Sequence, residues 1–559
     1  MKKRSLAAAL RSRFFWASIG GLMLAAGFPN GNVASLAWIA PGFILMTAIG
    51  QPGSQAFRLG YVAGLAFFLA TLYWLLLIPF PVGAVAAWLS LSAYLALYPA
   101  VWVWLCWKLF PVSTGLAAAA YSDMHGKDLI SSTTWLQRLV WALTAAALWT
   151  ALEMIRARFL TGFPWNLLGV SQYRVLPLIQ ICSVTGIYGI SFLMVWFSLS
   201  LASAFWMLWR RPTERWGWLG ELILPLLALM GVLLFGFDRL EHAPVPTRTL
   251  NVTMVQPSIP QTLIWNPKES TNRFRSLIDL SRQALAHAKT DLLIWPEAAV
   301  PNILRYDPEL TYPAITNLVE TAKVWLILQA DDAQPRSPNG RSNDYDLSNS
   351  SFLFSPDGQI RAIYHKQRLV IFGEYVPLSR WLPFLKWLTP IEGGFTPGTH
   401  PVPFHMPELK ANTSVLICFE DVFPQSVREY VQPNTDFLVN LTNDGWFGQS
   451  AAQWQHAFNA LFRAVENGLP LVRCANNGLT CWIDPLGRLH DVNFDNRSNI
   501  YQAGFKTAKV PLLPLGQLRQ PTFYNRYGDC FGWACVALAA AALLWLVKGK
   551  LKPQDATHK

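Results

Sequence analysis

Few charges interrupt the first 245 residues between short basic clusters, and that apolar stretch is the strongest constraint on what the chain can become. A helix needs about 20 apolar residues to cross a hydrocarbon core. Runs of that order fall at 14–30, 33–50, 60–81, 83–106, 139–155, 178–208 and 218–237, with a last one at 530–547. They predict a polytopic α-helical membrane domain of about eight spans, the first two marginal in length. The opening "MKKRSLAAALRSRFFWASIGGLMLAAGFP" has the basic head and apolar body of a signal peptide. The next apolar run follows after only a few polar residues, so the segment reads as an uncleaved first span. Composition agrees: 52% of the 559 residues are hydrophobic and 14% charged, against about 25% charged in soluble domains.

The formal charge of +12 does not point to nucleic acid, because the Lys and Arg gather at the ends of apolar runs instead of forming a basic, aromatic surface. With eight spans, parity puts four basic clusters on one face. These are "MKKRSLAAALRSR", the loop from "KLFPVSTG" to "WLQR", Arg210 to Arg215, and the tail "KGKLKPQDATHK". That face is the cytoplasm by the positive-inside rule, so both termini are cytoplasmic. The soluble stretch between spans seven and eight then lies on the periplasmic side of a bacterial inner membrane, where there is no ATP. The expected organisation is 1–245 with seven helices, 246–520 as the soluble catalytic domain, and 521–559 with the eighth helix and a basic tail.

Seven cysteines are too few and scattered for a disulfide scaffold. Cys474 and Cys481 flank the turn-like "ANNGLT" and read as two buried thiols, a cross-hairpin disulfide being the minority reading. No zinc pattern occurs, and no cofactor is expected.

The soluble stretch alternates strands and helices. "LNVTMVQP", "DLLIWPE", "VWLILQAD", "TSVLICFED" and "TDFLVNLTND" read as strands, and "NRFRSLIDLSRQALAHA", "YPAITNLVETAK" and "FPQSVREYV" as helices. "NSSFLFSPDGQIRAIYHK" reads as a hairpin around "SPDG", and "PLVRCANNGLTCWIDPLGRL" carries two more hairpin signals. This is an α/β domain around a buried sheet, where chemistry collects at strand ends.

Glu297 ends "LLIWPE", Lys366 follows "AIYH", and Cys418 ends "SVLIC". A base, a cation and a thiol are the parts of a covalent acyl-transfer site. A free thiol has a pKa near 8.5 and must lose its proton to attack, and Glu297 can take it. Lys366, with the backbone N–H of Phe419 after the cysteine, can hold the oxyanion. Singly, each has a duller reading: a turn acid, a solvated hairpin lysine, a small core residue. Their joint placement favours chemistry. Asp421 reads as the cap of the "FPQSVREYV" helix.

In that order, the Glu of "WPE", the Lys of "HKQRLVIFGEYVP" and the Cys of "CFEDVFP" resemble the Glu-Lys-Cys triad of the nitrilase superfamily. "VQPSIPQ" followed by Trp, "FGEYVP", "GGFTPG", "TNDGWFG" and "FPWNLLGVSQY" narrow this to a resemblance, over essentially the whole chain, to bacterial apolipoprotein N-acyltransferases. The resemblance implies a nitrilase-like α-β-β-α sandwich as the extracytoplasmic domain. It also implies a ping-pong reaction: an acyl chain passes from a membrane phospholipid, mainly phosphatidylethanolamine, to the cysteine as a thioester. The chain then passes to the α-amine of diacylglyceryl-cysteine apolipoproteins. The implied partners are these lipids and lipoproteins, with no nucleic acid, and a monomer. Glu374 and Glu420 are implied to support Lys366 or bind the amine, and Trp265 and Trp446 to line the acyl path.

"PLSRWLPFLKWLTPIEGGFTPG" carries Trp381 and Trp387 between prolines and beside Arg380 and Lys386. It reads as an interfacial anchor or lid, or more plainly as a core helix cut short by Pro383 and Pro390. One position departs from the family: Leu469 stands in "ENGLPLVR" where an Arg is usual, with Arg463 or Arg473 as candidate substitutes. Three functions compete: an N-acyltransferase, a membrane-tethered amidase of small amides, and an inactive scaffold or transporter. The membrane spans and the apolar segment favour the first over the second. The intact triad, and spans without paired charges, disfavour the third.

Overall fold

The computed structural model describes residues 12–111, 130, 132–307, 309–335, 345–379, 381–389, 394–494 and 499–551. The basic N-terminus up to residue 11, most of the loop at 112–131, Arg380, Pro390 and the tail from 552 lie outside the described residues, as does the side chain of Lys386. The chain divides into two compact units. One comprises Met1–Tyr73, Trp88–Glu241 and Asp529–Lys559, and the other Trp74–Ala87 and His242–Gly528.

In the first unit, long apolar runs become helices because lipid offers no partner for free backbone groups, so hydrogen bonds must close within each segment. Among the described residues, five helices are long and apolar enough to cross a membrane: Pro81–Lys108, Trp135–Arg156, Ile187–Arg210, Trp216–Glu241 and Cys530–Val547. The run at 14–30 forms the 14-residue helix Arg13–Ala26, and that at 33–50 a five-residue 3₁₀ turn and the nine-residue helix Ala40–Ala48. The run at 178–208 is broken at Gly186, whose φ of 64° only glycine adopts freely, so the long helix starts at Ile187. Small residues let helices approach closely: a Cβ on Gly21 would stand 2.0 Å from the Ala63 carbonyl of helix Gly53–Thr71. Contrary to the expectation of spans without paired charges, Arg138 and Glu221, on two of these helices, form a buried pair at 2.5 Å.

The second unit is built on two six-stranded sheets. The first holds β1 (Arg248–Gln256), β2 (Leu292–Ile294), β3 (Trp325–Pro335), β4 (Tyr345–Phe354), β5 (Ile360–His365) and β12 (Gly504–Leu512), in the order β12-β1-β2-β3-β4-β5. The second holds β6 (Pro403–Met406), β7 (Ala411–Ile417), β8 (Phe437–Thr442), β9 (Leu471–Ala475), β10 (Cys481–Ile483) and β11 (Leu489–His490), in the order β11-β10-β9-β8-β7-β6. Each has a parallel centre, β1-β2-β3 or β7-β8-β9, flanked by antiparallel strands. β2, the strand LLI, is wholly apolar and buried, and the other parallel strands are largely buried but carry polar residues such as Gln329, Asn440 and Arg473. Helices Ser270–His287 and Thr311–Ala322 cover the first sheet, where Phe274, Leu277, Ile315 and Val319 join Val255, Leu293, Leu326 and Phe352 in one core. The sheets meet at Cys474, whose thiol donates to the Val255 carbonyl at 3.3 Å. Trp74, from within the apolar run at 60–81, belongs to this unit: its indole donates to Gln455 at 3.1 Å and its ring meets Phe447 edge-on at 4.5 Å.

β12 is absent from the sequence reading, yet it pairs with all nine residues of β1. Lys506 and Lys509 interrupt its apolar pattern, as befits an edge strand. The "FPQSVREYV" helix is shorter than expected: Pro424–Val427 is α-helical and Arg428–Tyr430 continues as 3₁₀.

Candidate active site

Three strands end where the sequence placed its chemistry. Glu297 follows β2, Lys366 follows β5 and Cys418 follows β7. Glu297, Lys366 and Glu374 are all buried. Lys366 Nζ lies 2.9 Å from Glu374 Oε1 and 3.5 Å from Glu297 Oε1. Asn349, on β4, donates to both carboxylates, at 3.0 Å to Glu297 Oε1 and 2.8 Å to Glu374 Oε1. The other oxygens are also held: Glu297 Oε2 accepts from the Asn443 N–H at 3.0 Å and Glu374 Oε2 from the Val370 N–H at 2.8 Å. Gln329 locks the arrangement, donating to Asn349 Oδ1 at 2.8 Å and accepting from the Ala298 N–H at 2.7 Å. Burial alone would lower the Lys366 pKa, but Glu374 and Glu297 raise it above the ordinary lysine value, so the group stays an ammonium.

Cys418 has φ of 52°, a left-handed conformation that costs a non-glycine residue about 1–3 kcal/mol and clusters at functional sites. The turn breaks β7 at once, so the thiol stands at the strand end. Burial raises the thiol pKa well above 9.0, and the Glu297 charge adds to this while Lys366 opposes it. Burial and the Glu297 charge thus favour the neutral thiol over the thiolate.

Glu420 is fully buried and does more than end a helix. Its Oε1 accepts from the N–H groups of Gln367 and Arg368, at 2.7 and 3.1 Å, and from the Tyr364 hydroxyl at 2.7 Å; its Oε2 accepts from the Ile417 N–H at 2.8 Å. It thus ties the segment after Lys366 to the strand before Cys418. Asp421 does not cap the following helix, whose N-cap Phe423 has no side-chain cap bond. It instead pairs with Arg473 at 3.0 Å and His456 at 2.9 Å, because a buried carboxylate finds more in two cations than in one helix end. Asp331 carries no motif that marks it in the sequence. It lies opposite Asn349 across β3 and β4, and burial, then Glu374 and Glu297, push its carboxyl from 3.8 up to about 7.

Trp265 and Trp446 form an edge-to-face pair with centroids 5.2 Å apart. Trp381 and Trp387 are 82% and 80% exposed, so the segment they flank, with the 3₁₀ turn Pro383–Leu388, is no core helix. Cys474 and Cys481 are separate buried thiols. Leu469 is buried. Both arginines considered as its substitutes have other partners: Arg463 pairs with Glu466 at 2.9 Å, and Arg473 with Asp421 and Asp444. Phe419 packs edge-on against Phe423.

A buried ammonium, two carboxylates and a thiol electrostatically coupled to them suit acyl transfer through a covalent cysteine intermediate. Known proteins agree. The family model "Apolipoprotein N-acyltransferase N-terminal domain" matches residues 20–200 and the model "Carbon-nitrogen hydrolase" matches 251–508. An apolipoprotein N-acyltransferase of Geobacter metallireducens is 35% identical over 95% of this chain and 94% of its own length. One from Rickettsia prowazekii is 30% identical over 86% and 87%. An amidase crystal structure from Nesterenkonia sp. aligns with 48% of this chain and 94% of that one, at 15% identity and a TM-score of 0.33. On the sequence matches, which run nearly end to end, the chain belongs to the apolipoprotein N-acyltransferase family.

Proposed function

We propose that the protein takes an acyl chain from a membrane phospholipid onto Cys418 and passes it to the N-terminal amine of diacylglyceryl-cysteine apolipoproteins. The observation that carries this reading is the buried Lys366 ammonium, 2.9 Å from Glu374 and 3.5 Å from Glu297 and electrostatically coupled to Cys418. In the first half, Glu297 takes the thiol proton as sulfur attacks the ester carbonyl. Lys366 and the Phe419 N–H hold the oxyanion, and Glu297 returns the proton to the leaving glycerol oxygen, releasing a lysophospholipid. In the second half the neutral amine attacks the thioester, and Glu297 takes its proton and gives it to the departing sulfur. The thioester stores the acyl group without ATP, and the amide product is far more stable. Glu374 and Glu420 position Lys366, and Trp265 and Trp446 line the acyl path.

Both substrates lie in a bilayer, which fits the five membrane-length helices and the exposed Trp381 and Trp387 as an interfacial lid. Eight crossings complete the reading, with residues 246–520 on the periplasmic side of a bacterial inner membrane and both termini cytoplasmic. The donor is phosphatidylethanolamine and the working form a monomer. The test is to incubate the purified protein with phosphatidylethanolamine and a synthetic diacylglyceryl lipopeptide and analyse the products by mass spectrometry. One acyl mass on the α-amine with equimolar lysophospholipid supports transfer. Free fatty acid with an unmodified amine would identify a hydrolase instead.

A further inference from the structure

Below Cys418 lies a buried charge network that the acyl-transfer steps do not use. His456, on helix Ala452–Asn467, sits between Asp444 Oδ1, 2.7 Å from Nδ1, and Asp421 Oδ1, 2.9 Å from Nε2. Nε2 is also 3.3 Å from the Cys418 carbonyl oxygen. These three partners only accept hydrogen bonds when the acids are ionised, so both ring nitrogens carry protons and the ring is an imidazolium. Burial would lower its pKa, but Asp421 raises it, Arg473 opposes and Asp444 adds to the rise, leaving it at about 9. Arg473 closes the network, donating to Asp421 Oδ2 at 3.0 Å, Asp444 Oδ2 at 2.7 Å and Asn440 Oδ1 at 2.7 Å. Two buried cations thus balance two buried carboxylates. Asn440 completes it by donating its side-chain amide to the same Cys418 carbonyl at 3.1 Å.

Two donors on that oxygen matter because of peptide geometry. A trans peptide unit is planar, and its C=O and N–H point in opposite directions. Fixing the Cys418 carbonyl toward His456 and Asn440 therefore fixes the Phe419 N–H away from them. We propose that the His456 ring and the Asn440 amide are positioning groups that hold the Cys418–Phe419 peptide so that the Phe419 N–H faces the oxyanion. The proposal rests on the thioester reading above. Neither residue contacts substrate in it; both act through one carbonyl.

The test compares two reactions of Cys418 in His456→Gln and Asn440→Ala. Acylation by phosphatidylethanolamine passes through an oxyanion, whereas alkylation by iodoacetamide does not. Losing one oxyanion donor typically costs on the order of 100-fold or more in rate. In each variant, acylation at saturating phospholipid is expected to fall at least about tenfold, with KM unchanged and alkylation close to the wild-type rate. A folded variant with wild-type acylation, or one in which acylation and alkylation fall together, overturns the proposal. Asn440→Ala removes one acceptor of Arg473 but keeps His456, Arg473 and both carboxylates, so it decides the question if His456→Gln does not fold. A wild-type protein that alkylates but forms no thioester would sink the thioester reading itself, an outcome distinct from any seen in the variants.

Discussion

The Lys366 ammonium is bonded at 2.9 Å to Glu374 and only at 3.5 Å to Glu297, so the cation's closer partner is not the proposed base. Glu374 is thus the main counter-ion of the lysine, which suits the proposed role of Glu297 as the base. In Glu374→Gln the lysine loses its closer partner and keeps only Glu297, so the ammonium is drawn toward the proposed base. The variant should fold, keep its KM for phospholipid, and lose on the order of 100-fold in kcat, the usual scale for general-base catalysis. Steady-state transfer rates check this, and an unchanged kcat contradicts it.

Asn349 bridges the two acids with one amide. Asn349→Leu has a similar shape but leaves both carboxylates without that donor, and a buried acceptor stripped of its partner costs about 1–3 kcal/mol. Thermal unfolding should show a lower Tm and transfer assays a loss of at least about tenfold. Full activity at wild-type Tm would mean the bridge is incidental.

Gly398 sits where the chain passes Lys366: its N–H donates to the Lys366 carbonyl at 2.8 Å, and a Cβ there would stand 2.1 Å from the His365 carbonyl oxygen. Gly398→Ala must push the two segments apart. Transfer is expected to fall at least about tenfold from misplacement of the ammonium, whereas wild-type rates would show that the lysine tolerates the shift.

Glu297, Lys366 and Cys418 were legible because each stands within three residues of a strand end, where a chemical residue stands out. Asn349, Gln329, Asp331 and His456 were not, because each lies inside a strand or helix and its partners come from other elements, and Arg473 was noticed only as a stand-in for the family's Arg, not as the partner of Asp421 and Asp444. The Asp421 error has the same origin: its nearest neighbours in sequence suggested a helix cap, while its partners are 35 and 52 residues away. β1, β2, β3, β7 and β8 were readable from short runs rich in β-branched and apolar residues, and β12 was hidden by its lysines.

Asp331 gives a pH signature. Its folded pKa of about 7 lies above the ordinary 3.8, so the folded state holds a proton that the unfolded chain releases between those values. Its contribution to stability is present below about pH 4 and lost as the pH rises through 7. Asp331→Asn should raise Tm relative to wild type at pH 8 and make little difference at pH 4. A gap that does not widen with pH would contradict the assignment.

Trp381 and Trp387, 82% and 80% exposed, should matter only when the donor lies in a bilayer. The double variant Trp381→Ser, Trp387→Ser is expected to lose about tenfold or more in transfer from vesicle phospholipid, since burial of each aromatic ring at an interface contributes about 1.5–3 kcal/mol. It should keep its rate on a short-chain, water-dispersed phospholipid. Equal losses on both would place the tryptophans elsewhere in the mechanism.

The most direct measurement follows the acyl group itself. Wild-type protein incubated with phosphatidylethanolamine labelled in one acyl chain should carry label that hydroxylamine removes, and that label should be absent in Cys418→Ala. Label that persists in Cys418→Ala, or a wild-type protein that transfers acyl chains without ever carrying label, would contradict a Cys418 thioester.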